Sequence, residues 1–427
     1  MHFIVTEKRY NESVLLHFSK LFLNWSTLHR TQLALIGGVG ITRFASGVAY
    51  GILPVIVAFS YGEEMAGIFF AVFNLYQAFL GDPLAGNLAD RYGSKPVVLV
   101  GLFTTVAAAL LWLAAPLSNP FVLTLFALLL FTGFSFRDEV AAYLLRTSQD
   151  HEGGLVFGIM ENVYAIASFL ASLSLPFFVI TGNHAAGALT MLATAVAGIF
   201  IILPLSNDAA ERTPSRGFWQ SFNSLMLLKN GWHFMRVCGW YPVLSLGNSL
   251  FEGIFYGTIW FVIPLHLATE GVSLIEGLEL GVYELITIFF AGAAGYIADR
   301  YNWRHVHALG WLLAAAGALA LLVSQDVFWL IGIGAIIAIG NNLFSFAGSH
   351  ALEAYDGDHA EDGTFIGLSN MVMDLGYAIG PLAAGFAYVY GGFTGSLMFA
   401  VTVTLSLGAV MTMLGYMLKE EPPVIRA

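Results

Sequence analysis

The chain has 427 residues, of which 58% are hydrophobic and only 11% charged. So few charges cannot cover a soluble protein of this length, which excludes a water-soluble fold and places the chain in a bilayer. The formal net charge of −11 does not mark an acidic surface seeking basic partners, because many of the carboxylates fall in short loops and at helix ends, and no nucleic-acid partner is expected.

Twelve apolar runs follow, each of about 20 residues or more and so able to cross roughly 30 Å of hydrocarbon. The predicted helices are 32–58, 64–85, 97–116, 120–145, 154–180, 185–204, 241–267, 276–297, 306–324, 327–350, 364–389 and 394–418. The expected fold class is an all-α membrane protein. Residues 1–31 form an N-terminal segment without the signature of a removable signal peptide, and 10–30, with Trp25 suited to headgroup level, read as an amphipathic surface helix. The first predicted helix carries Arg43 about 16 Å deep, where an unpaired cation would cost several kcal/mol, so it should face a water-filled cavity or a carboxylate. The second carries Asn74, Gln77 and Asp82. The fourth ends in Phe136-Arg137-Asp138-Glu139, followed by Arg146, and the sixth is almost wholly apolar. Residues 206–240 form a central linker with an aromatic-rich surface helix, whose Cys238 reads as a small apolar residue and cannot form an internal disulfide. Glu252 lies in the seventh helix, Glu284 in the eighth, Asn341 and Asn342 in the tenth, and Asp374 in the eleventh. Residues 419–427 are a tail.

Between the second and third helices stands Gly86-Asn87-Leu88-Ala89-Asp90-Arg91-Tyr92-Gly93-Ser94-Lys95, and half a chain later Gly295-Tyr296-Ile297-Ala298-Asp299-Arg300-Tyr301-Asn302-Trp303-Arg304 repeats its glycine, its Ala-Asp-Arg-Tyr core and its closing cation. Each copy is expected in a tight hydrophilic loop between two membrane helices. Tyr50-Gly51 and Tyr256-Gly257, and Gly158 and Gly367, recur at nearly the same offset, so the repeat runs through whole bundles: 32–205 and 241–418. Parallel repeats of this kind place a substrate site at their interface near mid-membrane.

Lys and Arg sit before the first helix, after the second, fourth and eighth, in the linker and in the tail, whereas the alternate loops hold none. By the positive-inside rule both termini are cytoplasmic, and the plasma (inner) membrane is the expected location. Arg43 and Arg137 alone fall within predicted helices.

The motif Gly86-x-Leu88-Ala89-Asp90-Arg91-x-Gly93-x-Lys95, the twelve-helix plan and the central interval resemble the major facilitator superfamily. The resemblance spans nearly the whole chain and implies two pseudo-symmetric six-helix bundles rocking about a central cavity. It implies a cytoplasmic gate formed by Gly86, Asp90, Arg91, Glu139 and Arg146, and by repeat Asp299, Arg300 and Glu353. Gly376-x-x-x-Gly380-Pro381-x-x-x-Gly385 resembles the Gly-Pro motif that family antiporters carry in helix five, where this chain has Ala167-Ser168-Phe169-Leu170-Ala171.

Proton-coupled transport needs a carboxyl group that gains and loses its proton near ambient pH, and burial in a low dielectric favours its neutral form. Glu252, Glu284 and Asp374 all lie near mid-membrane by position and are the coupling candidates. Arg43, Asn74, Gln77, Asn341 and Asn342 are the substrate-binding candidates, with helix-to-helix bonding the alternative for the amides. Arg43 is expected to bind an anionic group of the substrate or to pair with Glu252. The acidic stretch Glu353, Asp356, Asp358, Glu361 and Asp362 reads as a solvated loop, and no metal site or cofactor is expected.

The expected function is secondary active transport of a small molecule by alternating access, driven by protons or another coupling ion because no nucleotide-binding loop is present. Arg43 and the missing helix-five motif suggest symport of a polar or anionic solute. The deep carboxylates suggest instead antiport of a drug or metabolite, and a non-transporting sensor or assembly factor of the same fold is the remaining alternative. No apposed nucleophile and base points to an enzyme, and a monomer is expected.

Overall fold

The computed structural model describes residues 30–138, 153–180, 184–206, 241–270, 277–324, 326–353 and 362–418. The expected surface helix at 10–30, the bulk of the linker, the acidic loop and the tail lie outside the described residues. The elements are α1 (Arg30–Tyr61), α2 (Glu63–Tyr76), a π-turn (Gln77–Gly81), α3 (Asp82–Tyr92), α4 (Ser94–Ala114) and α5 (Pro120–Asp138). After these come α6 (Gly153–Ile180), α7 (His184–Ile202), α8 (Tyr241–Glu270), α9 (Gly277–Arg300), α10 (Trp303–Leu321), α11 (Val327–Glu353) and α12 (Asp362–Met417). Among the described residues eight stretches are both long and apolar enough to cross a membrane.

Both ends of the sequence repeat behave alike, and not as expected. The motif does not lie in a loop: α3 carries the helix through Ala89-Asp90-Arg91-Tyr92, and α9 carries it through Ala298-Asp299-Arg300. These residues tolerate helix, and the chain reverses only where a glycine permits it, at Gly93 with φ 89°. In the second copy Asn302 provides the break, its side chain accepting from the Arg304 amide at 3.0 Å as the cap of α10. The closing cation of each motif then reaches the end of a distant helix. Lys95 Nζ donates to the carbonyls of Leu203, at 2.8 Å, and Leu205, just past α7, while Arg304 donates to the carbonyl of Leu418, just past α12. A cation at a helix C-terminus answers carbonyls that the helix itself cannot bond.

The two predicted helices 364–389 and 394–418 are the two arms of α12, bent at Gly392, where φ is 58°. The π-turn joins α2 to α3 in one rod, and a π-turn rotates the side chains beyond it relative to an uninterrupted α-helix.

In the first half α1 packs on α6 and α7, and α4 on α5 and α7; in the second, α8 lies along α12, α11 lies between α9 and α10, and α10 touches α12. The halves meet where α2 lies along α12, α6 along α9 and α1 along α8. One continuous apolar core runs through both, with Phe70, Phe126, Phe131, Phe255 and Phe261 fully enclosed, while Phe59, Phe121, Phe200 and Tyr390 point outward as a lipid-facing surface requires. At the end remote from the motifs the halves are in close contact. A Cβ on Gly67 would lie 2.7 Å from the Pro381 carbonyl oxygen, and the rings of Phe70 and Phe261 are 5.9 Å apart.

Candidate substrate and proton site

Polar side chains from six helices converge at the junction of the two halves. Arg43 of α1 holds its guanidinium 5.4 Å from the ring centre of Tyr164 on α6. It lies in the electrostatic field of Asp138, Tyr377 and Glu284. Tyr377 of α12 lies in the electrostatic field of Arg43, Glu284, Asp374 and Glu252. Tyr256 of α8 interacts with Glu252, Glu284 and Tyr377, and its hydroxyl lies beside the amide of Asn341. Arg43, Tyr50, Glu252, Tyr256, Glu284 and Tyr377 are each only half-buried, although they lie deep in helices whose neighbouring residues are enclosed. Charged and tyrosine residues left partly accessible at that depth are what a polar path between the halves requires.

Hydrogen bonding separates the candidate amides. Asn342 donates to Ala338 O at 2.8 Å and to Thr287 Oγ1 at 3.1 Å, so it ties α11 to α9 and both of its protons are used. Asn74 is buried and donates to Phe70 O at 2.8 Å, with the Tyr50 hydroxyl beside it. Asn341 is buried with neither amide atom in a hydrogen bond of normal geometry, and the Tyr50 hydroxyl has none either. Buried polar atoms left without partners are few in native proteins and call for a water or a ligand. Here they come from both halves, from α1 and α11.

Sequence reasoning treated Gln77 and Asp374 separately, but the structure brings both to one residue it did not single out. Asp82, in the first turn of α3, has its carboxyl group in hydrogen-bond contact with that of Asp374 on α12, with Gln77 and Ser135 beside it. An acid among apolar residues one turn beyond Gln77 was the available signal. Arg137 and Asp138 are a second addition. Arg137 is 1% exposed, donates to Ser46 Oγ at 2.5 Å, lies 5.2 Å from the Phe134 ring centre and sits 3.4 Å from Asp138. Tyr164, Tyr256 and Tyr377 could not be told from packing aromatics by sequence.

Of the expected gate, Gly86 is half-buried in α3 and Arg300 is exposed at the end of α9. Asp90, Arg91, Asp299 and Glu353 lie on described helical backbone, but their side chains fall outside the described residues, as do Glu139 and Arg146 entirely.

The Major Facilitator Superfamily model matches residues 35–304 and 246–427. The chain belongs to this family. It is 26% identical over 348 residues to an uncharacterized 38 kDa protein in the 23S RNA operon of Thermoproteus tenax, covering 78% of this chain and 81% of that one. It is likewise 26% identical over 340 residues to the quinolone resistance protein NorA of Staphylococcus aureus, covering 75% and 79%. Among solved structures, a POT family transporter in complex with a thioalcohol-conjugated peptide superposes with a TM-score of 0.69 at 14% identity, covering 90% of this chain and 96% of that one. The human organic anion transporter MFSD10 gives 0.68 at 16%, covering 90% and 99%. At such identities the superpositions speak for the fold alone. The protein is a multi-pass integral membrane transporter of the major facilitator fold.

Proposed function

We propose that the protein is a proton-coupled antiporter that moves a cationic or zwitterionic, aromatic-bearing small molecule through the space between its halves. The observation that carries this reading is the charge of the site. Glu252, Glu284, Asp374, Asp82 and Asp138 gather at the junction that holds Arg43 and Arg137, with Asp138 and Glu284 in the field of Arg43 and Asp138 also 3.4 Å from Arg137. The acids outnumber the two cations, and tyrosines supply π-faces that attract cations and stack on planar rings. NorA, a relative over three quarters of the chain, is named for resistance to quinolones, which agrees with this reading. In it Glu252 and Glu284 compete for substrate and proton, Arg43 keeps them poised, and Asn341 and Tyr50 hydrogen-bond the substrate. The halves 32–205 and 241–418 rock as bodies in a monomer, the gate charges Asp90, Arg91, Glu139 and Arg146 and their repeats closing the motif side. Both termini are cytoplasmic in the plasma membrane on the distribution of Lys and Arg.

A second reading, symport of an anionic solute held by Arg43, is favoured by the Ala167-to-Ala171 segment that stands where antiporters carry Gly-Pro. Thermal unfolding of the purified protein against cationic drugs, amino acids, carboxylates, sugars and nucleosides separates the two. Excess ligand raises stability by about RT ln(1 + [L]/Kd). Antiport predicts cationic or zwitterionic hits that are stronger at alkaline pH, where substrate meets no competing proton. Anionic hits stronger at acidic pH would overturn it in favour of symport.

A further inference from the structure

We propose that Asp82 and Asp374 together bind a single proton between the two halves, and that this shared proton is the coupling proton of the transport cycle. The inference rests on the proton-coupled reading above and gives it a site. An ionised carboxylate has only acceptors, so two carboxyl groups in hydrogen-bond contact hold a proton between them. Asp374 is buried on α12 and Asp82 opens α3, so the contact joins the two halves along one of the three lines where they meet. The π-turn Gln77–Gly81 ends immediately before Asp82, and π-turns gather at functional sites because they re-aim the residues that follow. Around the pair stand Gln77 of the π-turn, Ser135 and Asp138 of α5, Tyr50 and Arg43 of α1, and Tyr377 on α12 itself. Arg43 and Arg137 are the cations of that group: Arg43 shares the field of Asp138 and Glu284, and Arg137 lies 3.4 Å from Asp138.

The proton therefore has a mechanical consequence. With it, the pair is a hydrogen bond that holds α3 against α12. Without it, two anions are in contact in a poorly screened interior and the helices are driven apart. Proton occupancy becomes a displacement between halves.

The test uses the whole chain with Cys238→Ser and spin labels on Tyr92→Cys of α3 and Asn370→Cys of α12, both exposed. The wild-type pair should give an inter-label distance that lengthens from acidic to alkaline pH, together with loss of one protonated-carboxyl infrared band that shifts in D₂O. Asp82→Asn and Asp374→Asn, which are isosteric, should each remove that band, and the double variant should hold the short distance at every pH. Should the double variant fail to elute as a folded monomer, Asp82→Asn alone decides through the band. A pH-dependent distance that survives in either variant, or a band that survives Asp82→Asn, overturns the proposal. Neither readout uses a substrate, so their failure is distinct from failure of the ligand panel, which concerns the antiport reading.

Discussion

Replacing Gly67 by alanine tests whether the close contact between α2 and α12 is one face of a two-state device. The added Cβ would stand 2.7 Å from Pro381 O and 3.3 Å from Leu382 O, against about 3.4 Å for ordinary contact. Both neighbours are backbone, so neither can rotate away, and the helices themselves must separate. Overpacking of this kind costs about 1–3 kcal/mol. If the strain exists only in the arrangement closed at this end, a penalty of about 2 kcal/mol shifts the balance toward the open one by roughly thirtyfold. Spin labels on Glu64→Cys and Tyr390→Cys, both exposed near this end, read the separation directly. Gly332→Ala is the control, because nothing lies within 4 Å of a Cβ there. The distance distribution of Gly67→Ala should move to longer values while that of Gly332→Ala stays put. Unchanged distances in Gly67→Ala, with the protein folded, would refute the idea that this contact belongs to one state of a moving pair.

Three further outcomes follow from the same geometry. Lys95→Met removes the cation that caps α7 and should lower stability by about 1 kcal/mol, a charged hydrogen bond at a partly exposed site, seen as a fall in Tm with ligand affinity retained. Asn302→Ala, which removes the α10 cap, should cost about 1 kcal/mol, and Asn302→Asp should recover most of it. Asn341→Ala should weaken ligand stabilisation by about tenfold while lowering Tm of the free protein less than Asn342→Ala does, because neither of its amide atoms makes a hydrogen bond of normal geometry. Asn342→Ala should do the reverse, lowering Tm through its bonds to Thr287 and Ala338 with ligand affinity preserved.

Much of the architecture was legible in the sequence because hydrophobic length leaves little choice inside a bilayer. Each predicted run whose residues are described is helical, the second running on through a π-turn into the motif and the last two joined in one bent helix. The Asp-Arg repeat marked the two-fold plan for the same reason: two like bundles need like ends. Its placement in loops was wrong, since hydrophilic residues in a membrane protein can also finish a helix beyond the hydrocarbon, and only Gly93 and Asn302 had the chemistry to break it.

Depth along a helix is also a sequence property, at about 1.5 Å per residue, which is why Arg43, Glu252, Glu284 and Asp374 are expected near mid-membrane from position alone. Azimuth around the helix and the choice of neighbour are not, because in lipid both faces of a helix are apolar and no amphipathic stripe marks the inner one. Tertiary packing alone set Asn341 beside Tyr256 and Asn342 against α9, and it alone gathered Tyr164 and Tyr377 around Arg43. It alone joined Asp82 to Asp374, residues nearly three hundred positions apart, since a contact between halves depends on how two separately folded bundles lean on each other and leaves no trace in the periodicity of either.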